Sequence, residues 1–367
     1  METKGLGDSC VAVNPDNDFE SVVLDLIMLL HNKLGTDPKE LQGVLKKLDE
    51  VIGQVNKGKS WAALPRSDES WQQLLFEETH NSTAIEQNTL SLYEVGVLLE
   101  DGKALGNKKL VEYMEVRGYA AGANWVYDQK PLKASHVGDV ITLAELRSLH
   151  HMVLSPVWDV EPVKGASEEE SPGNFRRHQI RAFSDGMTPP PWTQVDADIR
   201  TWIDELKTPR EGEHPIMHAA RMHARFEQIH PFIDGNGRTG RALLNLQLVR
   251  TGYPPCVIRV RDRDKYIDSL GSAYRNDFVP IATLVAREVT NSLYRLVNPK
   301  VLDPLEVQPL ENFESDDFKV TAMRTAIQRG RLQAFKDASG QWQTSRAWIV
   351  DYENGKYRRE NSRSLEL

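Results

Sequence analysis

Between His230 and Arg241 the sequence runs HPFIDGNGRTGR, twelve residues that hold a histidine, a carboxylate, three glycines and two arginines. Each type has a use in phosphate chemistry. An unperturbed imidazole titrates near neutrality, so His230 can accept a proton from an incoming hydroxyl. A single carboxylate such as Asp234 is the ligand Mg²⁺ takes when its other ligands are waters and phosphate oxygens. Arg238 and Arg241 are three residues apart, so on a helix both project from about the same side and can fork onto phosphates. Gly235, Gly237 and Gly240 also spell G-x-G-x-x-G, the fingerprint of a dinucleotide-binding turn.

The flanking elements decide between these uses. A dinucleotide site needs a strand before its first glycine, but Pro215 to Ile229 is rich in Ala, Met, Arg and Glu and reads as a helix. What remains is helix, tight loop and a second helix beginning close to Gly237 or Arg238. Such a loop aims consecutive backbone N–H groups at one point and suits an anion. With a base, a metal carboxylate and cationic clamps, these are the parts of a phosphoryl- or nucleotidyl-transfer site, which requires no nucleophilic side chain of the enzyme. Taken singly, each residue has a plainer use: His230 as a cap, the arginines as solvated charges, Phe232 as an apolar anchor. Their concurrence carries the argument. A second pattern, GQVNKGKS from Gly53 to Ser60, matches a phosphate loop. There, however, an amphipathic helix announced by Thr36-Asp37-Pro38, with Leu41, Leu45, Leu48, Ile52 and Val55 on one face, ends at Gly58. Gly58 therefore reads as a cap followed by solvated Lys59 and Ser60.

Helical spacing recurs over 71–99, 109–126, 143–154 and 193–206, and again over 242–249. The irregular stretch GASEEESPGNFRRHQIRAFSDGMTPPPW interrupts them, and within it FRRHQIRAF alternates like one arm of a hairpin. Strand signals are too sparse for a parallel sheet. The expected fold class is mainly α, divided into an N-terminal helical region (1–140), a helical core (141–296), a Pro-rich acidic linker (297–315) and a C-terminal module (316–367) with a short helix ending at Gly330, two extended arms about Asp337 to Gly340 and a last helix near Ser345.

The 367 residues, 40% hydrophobic and 27% charged, are enough for more than one domain with a buried core. Cys10 and Cys256 are too few for a disulfide framework or thiolate metal site, and no segment reads as a secretion signal or a bilayer span. A cytoplasmic, reducing location without a membrane partner is the expectation. The net charge of −8 argues against a surface that coats nucleic acid. It is unevenly spread: from Asp316 onward ten Lys and Arg face seven Asp and Glu, a net of +3, leaving −11 elsewhere.

HPFIDGNGRTGR resembles, at every fixed position, the HPFx[D/E]GNGRxxR signature of the Fic family, whose members mostly transfer AMP from ATP to protein hydroxyls. The resemblance covers roughly Thr142 to Leu296 and implies a Fic-fold helical core with a β-hairpin flap. It implies His230 as general base, Asp234 as Mg²⁺ ligand, Gly235, Asn236 and Gly237 as phosphate holders, and Arg238 and Arg241 as grips further along. ATP and Mg²⁺ are the implied co-substrate and metal. A protein with an exposed Ser, Thr or Tyr hydroxyl is the implied target, with self-modification and a homodimer also open. Phe175 to Pro191 falls where the family has its target-holding flap, with Ile180 and Arg181 as its clamp, and Tyr266 falls near the adenine. Upstream, STAIEQN, Ser82 to Asn88, resembles the family's inhibitory motif [S/T]xxxE[G/N], which would pair Glu86 with Arg241 and withhold that arginine from the γ-phosphate. Gln87 departs from the Gly or Asn of that pattern. Removal of AMP, transfer of another phosphate-containing group, or a non-catalytic nucleotide-binding regulator associated with DNA are the competing functions. The tail resembles an excisionase-like winged helix, with Arg329, Arg331 and Lys336 as phosphate contacts to DNA or, equally, a protein-contacting module.

Overall fold

Asp37 opens the first helix by accepting the Lys39 N–H at 2.9 Å, ahead of Pro38 at the first helical position. This computed structural model describes residues 37–57, 69–132, 140–181, 183, 187–297, 307–315, 318–328, 332, 334–336, 340–345, 349 and 352. Within them ten helices precede the C-terminal module: α1 (Pro38–Lys57), α2 (Glu69–Ile85), α3 (Leu92–Asp101), α4 (Leu110–Tyr127), α5 (Leu143–Trp158), α6 (Val195–Lys207), α7 (Pro215–Ile229), α8 (Asn236–Arg250), α9 (Arg263–Ala273) and α10 (Val279–Val297). Helix α1 runs to Lys57, as the capping reading of the GQVNKGKS glycine requires; Gly58, Lys59 and Ser60 lie outside the described residues.

Helix α8 lies at the centre, and its residues from Arg238 to Arg250 are all buried. Helices α4 and α5 approach closely because Gly118 and Gly122 face α5: a β-carbon on Gly118 would sit 2.2 Å from the Val153 carbonyl oxygen. Helix α2 is fixed by a buried carboxylate. Glu78 accepts hydrogen bonds from Tyr119 Oη at 2.7 Å, Asn245 Nδ2 at 2.7 Å and the Tyr127 hydroxyl. Burial pushes its carboxyl up, and these three donors oppose the shift. Helices α2, α4 and α8 thus meet at one polar point inside an apolar cluster, which sets the rotation of α2 about its axis. A neutral or charged carboxyl with satisfied partners can stay buried there.

Three sequence expectations are corrected. The single helix read over 71–99 is two, because the chain turns at Gln87, whose φ of +74° ends α2. No strand forms among the described residues of Phe175 to Pro191. Only the bond from Phe183 N–H to the Met187 carbonyl, 2.8 Å, resembles a hairpin closure. Pro189, Pro190 and Pro191 have no N–H for a ladder, and the buried Arg176 guanidinium takes the carbonyls of His178 and Pro190 at 3.0 and 2.7 Å. Finally, the segment read as linker already contributes structure: β1 (Val307–Pro309) pairs antiparallel with β3 (Trp342–Ser345), which also pairs with β2 (Phe335–Lys336). Leu310 joins Phe318, Met323 and Ala326 of α11 (Val320–Gln328) and its approach in a separate apolar cluster. Arg329 and Arg331 lie outside the described residues.

No helix among the described residues is long and apolar enough to cross a membrane.

Candidate active site

His230 ends α7 in the left-handed conformation, φ +49° and ψ +61°, so the chain turns sharply back towards α8. The turn is braced from both sides. Arg176 Nε donates to the His230 carbonyl at 2.8 Å, and Arg176 N–H to the Pro231 carbonyl at 2.8 Å. Within the loop, the Asn236 side chain accepts from Phe232 N–H at 2.8 Å and donates to the Phe232 carbonyl at 2.9 Å. The Asn236 side chain is therefore turned inward to hold the loop, and its backbone N–H is the group left for an anion. His150 stacks on Phe232 with ring centroids 3.5 Å apart. Its Nδ1 accepts the Gly173 N–H at 2.7 Å, so the proton sits on Nε2 and is donated to the Asp234 carbonyl at 3.0 Å. Neither Arg176 nor His150 stands out in sequence, because each acts on backbone carbonyls remote along the chain.

Gly235 takes φ +74°, which a side chain would resist, and delivers the chain into α8. The first bond of that helix is Thr239 N–H to the Gly235 carbonyl at 2.9 Å. The N–H groups of Asn236, Gly237 and Arg238 have no acceptor within the helix and lie at its positive end. A phosphate there meets three donors and a favourable dipole.

His230 Nδ1 lies 3.3 Å from the Glu227 carbonyl, a contact only an N–H can make, which leaves Nε2 as the acceptor. Burial, with the Arg176 charge nearby, lowers the imidazole to about 4. It is a neutral base at physiological pH. Phe183 leans edge-on against it, ring centroids 4.9 Å apart. Ile180 is half-buried and Arg181 exposed on the same loop.

Both signature arginines are held by carboxylates. Arg241 donates through Nε to Ser82 Oγ and through Nη2 to the Ser82 carbonyl and Glu86 Oε1, each at 2.8 Å. Burial pushes the Glu86 carboxyl up, but the Arg241 charge and hydrogen bond outweigh it and hold the group below its usual value. Gly237 makes room for this contact, since a β-carbon there would lie 2.4 Å from Glu86 Oε1. Arg238 donates to Glu115 Oε1 and to Asp234 Oδ1, both at 3.2 Å. Glu115, on α4, carries no signal in the sequence.

A cavity of about 320 Å³ opens beside these groups, reached by Glu86, Glu227, His230 and Arg241 and walled on the α9 side by Tyr266, Ile267, Leu270 and Tyr274. The Tyr266 hydroxyl is engaged by His223. His223 Nδ1 donates to the Gly240 carbonyl at 3.1 Å, so Nε2 accepts from Tyr266 Oη at 2.8 Å. The ring alone contributes to the wall. Asp234 is the one expected metal ligand, and no cluster of three or more His, Cys, Asp or Glu suited to a metal exists among the described residues. A lone carboxylate, 42% exposed at the mouth of the loop, fits a Mg²⁺ that arrives with phosphate oxygens and water, as opposed to one caged by protein.

The profile of the Fic/DOC family matches residues 140–248. The protein adenylyltransferase Fic of Culex quinquefasciatus is 32% identical over 251 residues, covering 66% of this chain and 46% of that protein. That of Drosophila grimshawi is 29% identical over 282 residues, 76% of this chain and 54% of the other. The chain thus spans about half the length of these curated relatives. Among solved structures, Fic-1 from C. elegans matches with a TM-score of 0.51 at 26% identity, over 77% of this chain and 72% of that one. The signature loop between two helices, the helical architecture around it and these likenesses agree: the chain belongs to the Fic/DOC family.

Proposed function

We propose that the protein transfers AMP from ATP to a hydroxyl of a protein side chain, and that Glu86 holds it in a resting state. The observation that carries this reading is a neutral, correctly protonated His230 beside an anion cradle whose Arg241 is occupied by Glu86 at 2.8 Å. The target hydroxyl attacks the α-phosphorus, the new P–O bond forms as the α–β anhydride bond breaks, and His230 Nε2 takes the hydroxyl proton. Pyrophosphate leaves. The N–H groups at the start of α8 and the Arg238 guanidinium hold the phosphates, and the α9 wall receives the base. Asp234 would hold Mg²⁺, whose charge offsets that of the phosphates when bound. Phe183 shields the imidazole and lies on the loop that would meet the target.

Incubation with labelled ATP and Mg²⁺, followed by mass analysis of the protein and of added candidate targets, tests the reading. His230→Ala should abolish labelling while leaving ATP binding nearly intact, because the base acts only as the hydroxyl attacks. Asp234→Ala should instead weaken the Mg²⁺-dependent part of binding. Undiminished labelling by pure His230→Ala protein would reject the assignment.

A further inference from the structure

The C-terminal end of α2 is a Schellman cap. Gln87 N–H donates to the Ala84 carbonyl at 2.9 Å and Asn88 N–H to the Thr83 carbonyl at 3.1 Å, while Gln87 occupies the left-handed position. Glu86 is the capping residue itself, so its direction depends on this turn staying closed. Asn88 is the next residue out, and it is buried. Its Oδ1 accepts Leu90 N–H at 3.0 Å, and its Nδ2 donates to the Glu112 carbonyl at 2.9 Å and to Glu115 Oε2 at 2.8 Å. Glu115 Oε1 accepts from Arg238 at 3.2 Å. One carboxylate therefore touches both a phosphate-gripping arginine and the cap that aims Glu86 at the other arginine. Neighbouring Glu112 also reaches this segment, accepting Thr89 N–H at 2.9 Å, but among the described contacts it does not reach an arginine of the loop.

We propose that Glu115 is a positioning residue that couples the two arginines: occupation of Arg238 by a nucleotide phosphate withdraws it from Glu115, loosens Asn88 and the α2 cap, and so releases Glu86 from Arg241. The inference rests on the reading that Glu86 withholds Arg241 from nucleotide. Physically, a carboxylate that loses its guanidinium partner turns towards solvent or takes a proton, and in either case ceases to be a charged acceptor for Asn88 Nδ2. The bond it made to Asn88 is charge-assisted and weakens accordingly. The cap is poised to yield because its left-handed position is filled by a residue with a side chain. Nucleotide binding at one arginine then lowers the cost of binding at the other.

The test is Mg²⁺-ATP affinity by calorimetry in a His230→Ala background, where bound ATP is not consumed. Asn88→Ala should tighten binding roughly fivefold or more, the size of an ordinary coupling between sites. The same change should have less than about a twofold effect once Glu86→Gly is also present, and equally once Glu115 is already Ala, because the linked groups are gone. Thermal melts of every variant establish folding; if Glu115→Ala does not fold, Glu115→Gln, which keeps the side-chain shape without the charge, takes its place. An equal effect of Asn88→Ala in all backgrounds, or none in the first, overturns the coupling. No ATP binding in any variant, Glu86→Gly included, overturns the nucleotide reading itself.

Discussion

The Glu227 carboxyl fills the space that a side chain on residue 240 would need: a β-carbon built on Gly240 lies 2.1 Å from Glu227 Oε1. That oxygen is buried with no hydrogen-bond partner among the described residues, one turn before His230 and close to Arg241. Burial raises the carboxyl to about 8, with the Arg241 charge opposing. Its folded-state value lies above the unfolded one, so its contribution to stability is fully present below about 4.5 and is lost as pH rises through about 8. Glu227→Gln keeps the shape without the ionisation. Chemical denaturation at pH 6 and pH 9 should show the parent losing more stability across that interval than the variant. A parent curve no steeper than the variant's would mean that Glu227 is ionised in the fold.

Three buried histidines have the opposite sign. Burial lowers His150 and His230 to about 4 and His223 to about 3, each below the unfolded value of 6.5. Their contribution is present above about 6.5 and is lost as pH falls through about 4. Transfer measured in brief assays should therefore stay level from pH 8 to about 5.5, with its acid limb near the His230 value of about 4. An acid limb centred at 6.5 would show an imidazole open to solvent.

Gln87 departs from the Gly or Asn of the family's inhibitory motif, and its φ of +74° gives that departure a physical meaning. In this chain that position is the left-handed residue of a helix cap, where Gly would be free of strain. Gln87→Gly should raise stability by about 1 kcal/mol and lower the basal transfer rate, since a firmer cap holds Glu86 on Arg241 more of the time. Higher stability with an unchanged rate would separate the cap from inhibition.

The signature loop and its flanking helices are legible in sequence because their chemistry is local: Pro215 opens α7, the glycines make the turn, and α8 begins within two residues of the expected place. Glu86 is legible through its motif alone, for nothing in composition distinguishes it from a solvated helix residue. The braces are not legible. Arg176, His150 and Glu115 act across 54, 84 and 123 residues of chain, and each spends its polar atoms on a backbone carbonyl or on a charge that folding brings near. Among the described residues of the flap no strand forms, for a local reason: alternation in FRRHQIRAF marks an extended chain, but Arg176 takes the carbonyls of His178 and Pro190 without a ladder. The strand at the end of the Pro-rich segment is not legible because Val307 to Pro309 sit among prolines and acids, while their partners Gln343 to Ser345 are more than thirty residues away.

The central claim is that Glu86 keeps Arg241 from the nucleotide, and Glu86→Gly tests it most directly. The carboxylate occupies the Arg241 guanidinium, and on the proposed reading ATP bound while that contact persists would meet negative charge where its γ-phosphate should sit and would be held with its α-phosphate misaligned. With Glu86 gone, phosphate supplies the missing countercharge to Arg241, and Mg²⁺-ATP should raise the melting temperature of the variant more than that of the parent. Self-modification from labelled ATP should rise by roughly tenfold or more, the consequence of recovering about 1.4 kcal/mol in the transition state. Equal rates together with equal thermal shifts at the same ATP concentration would contradict the account and leave Glu86 as a partner of Arg241 in structure only.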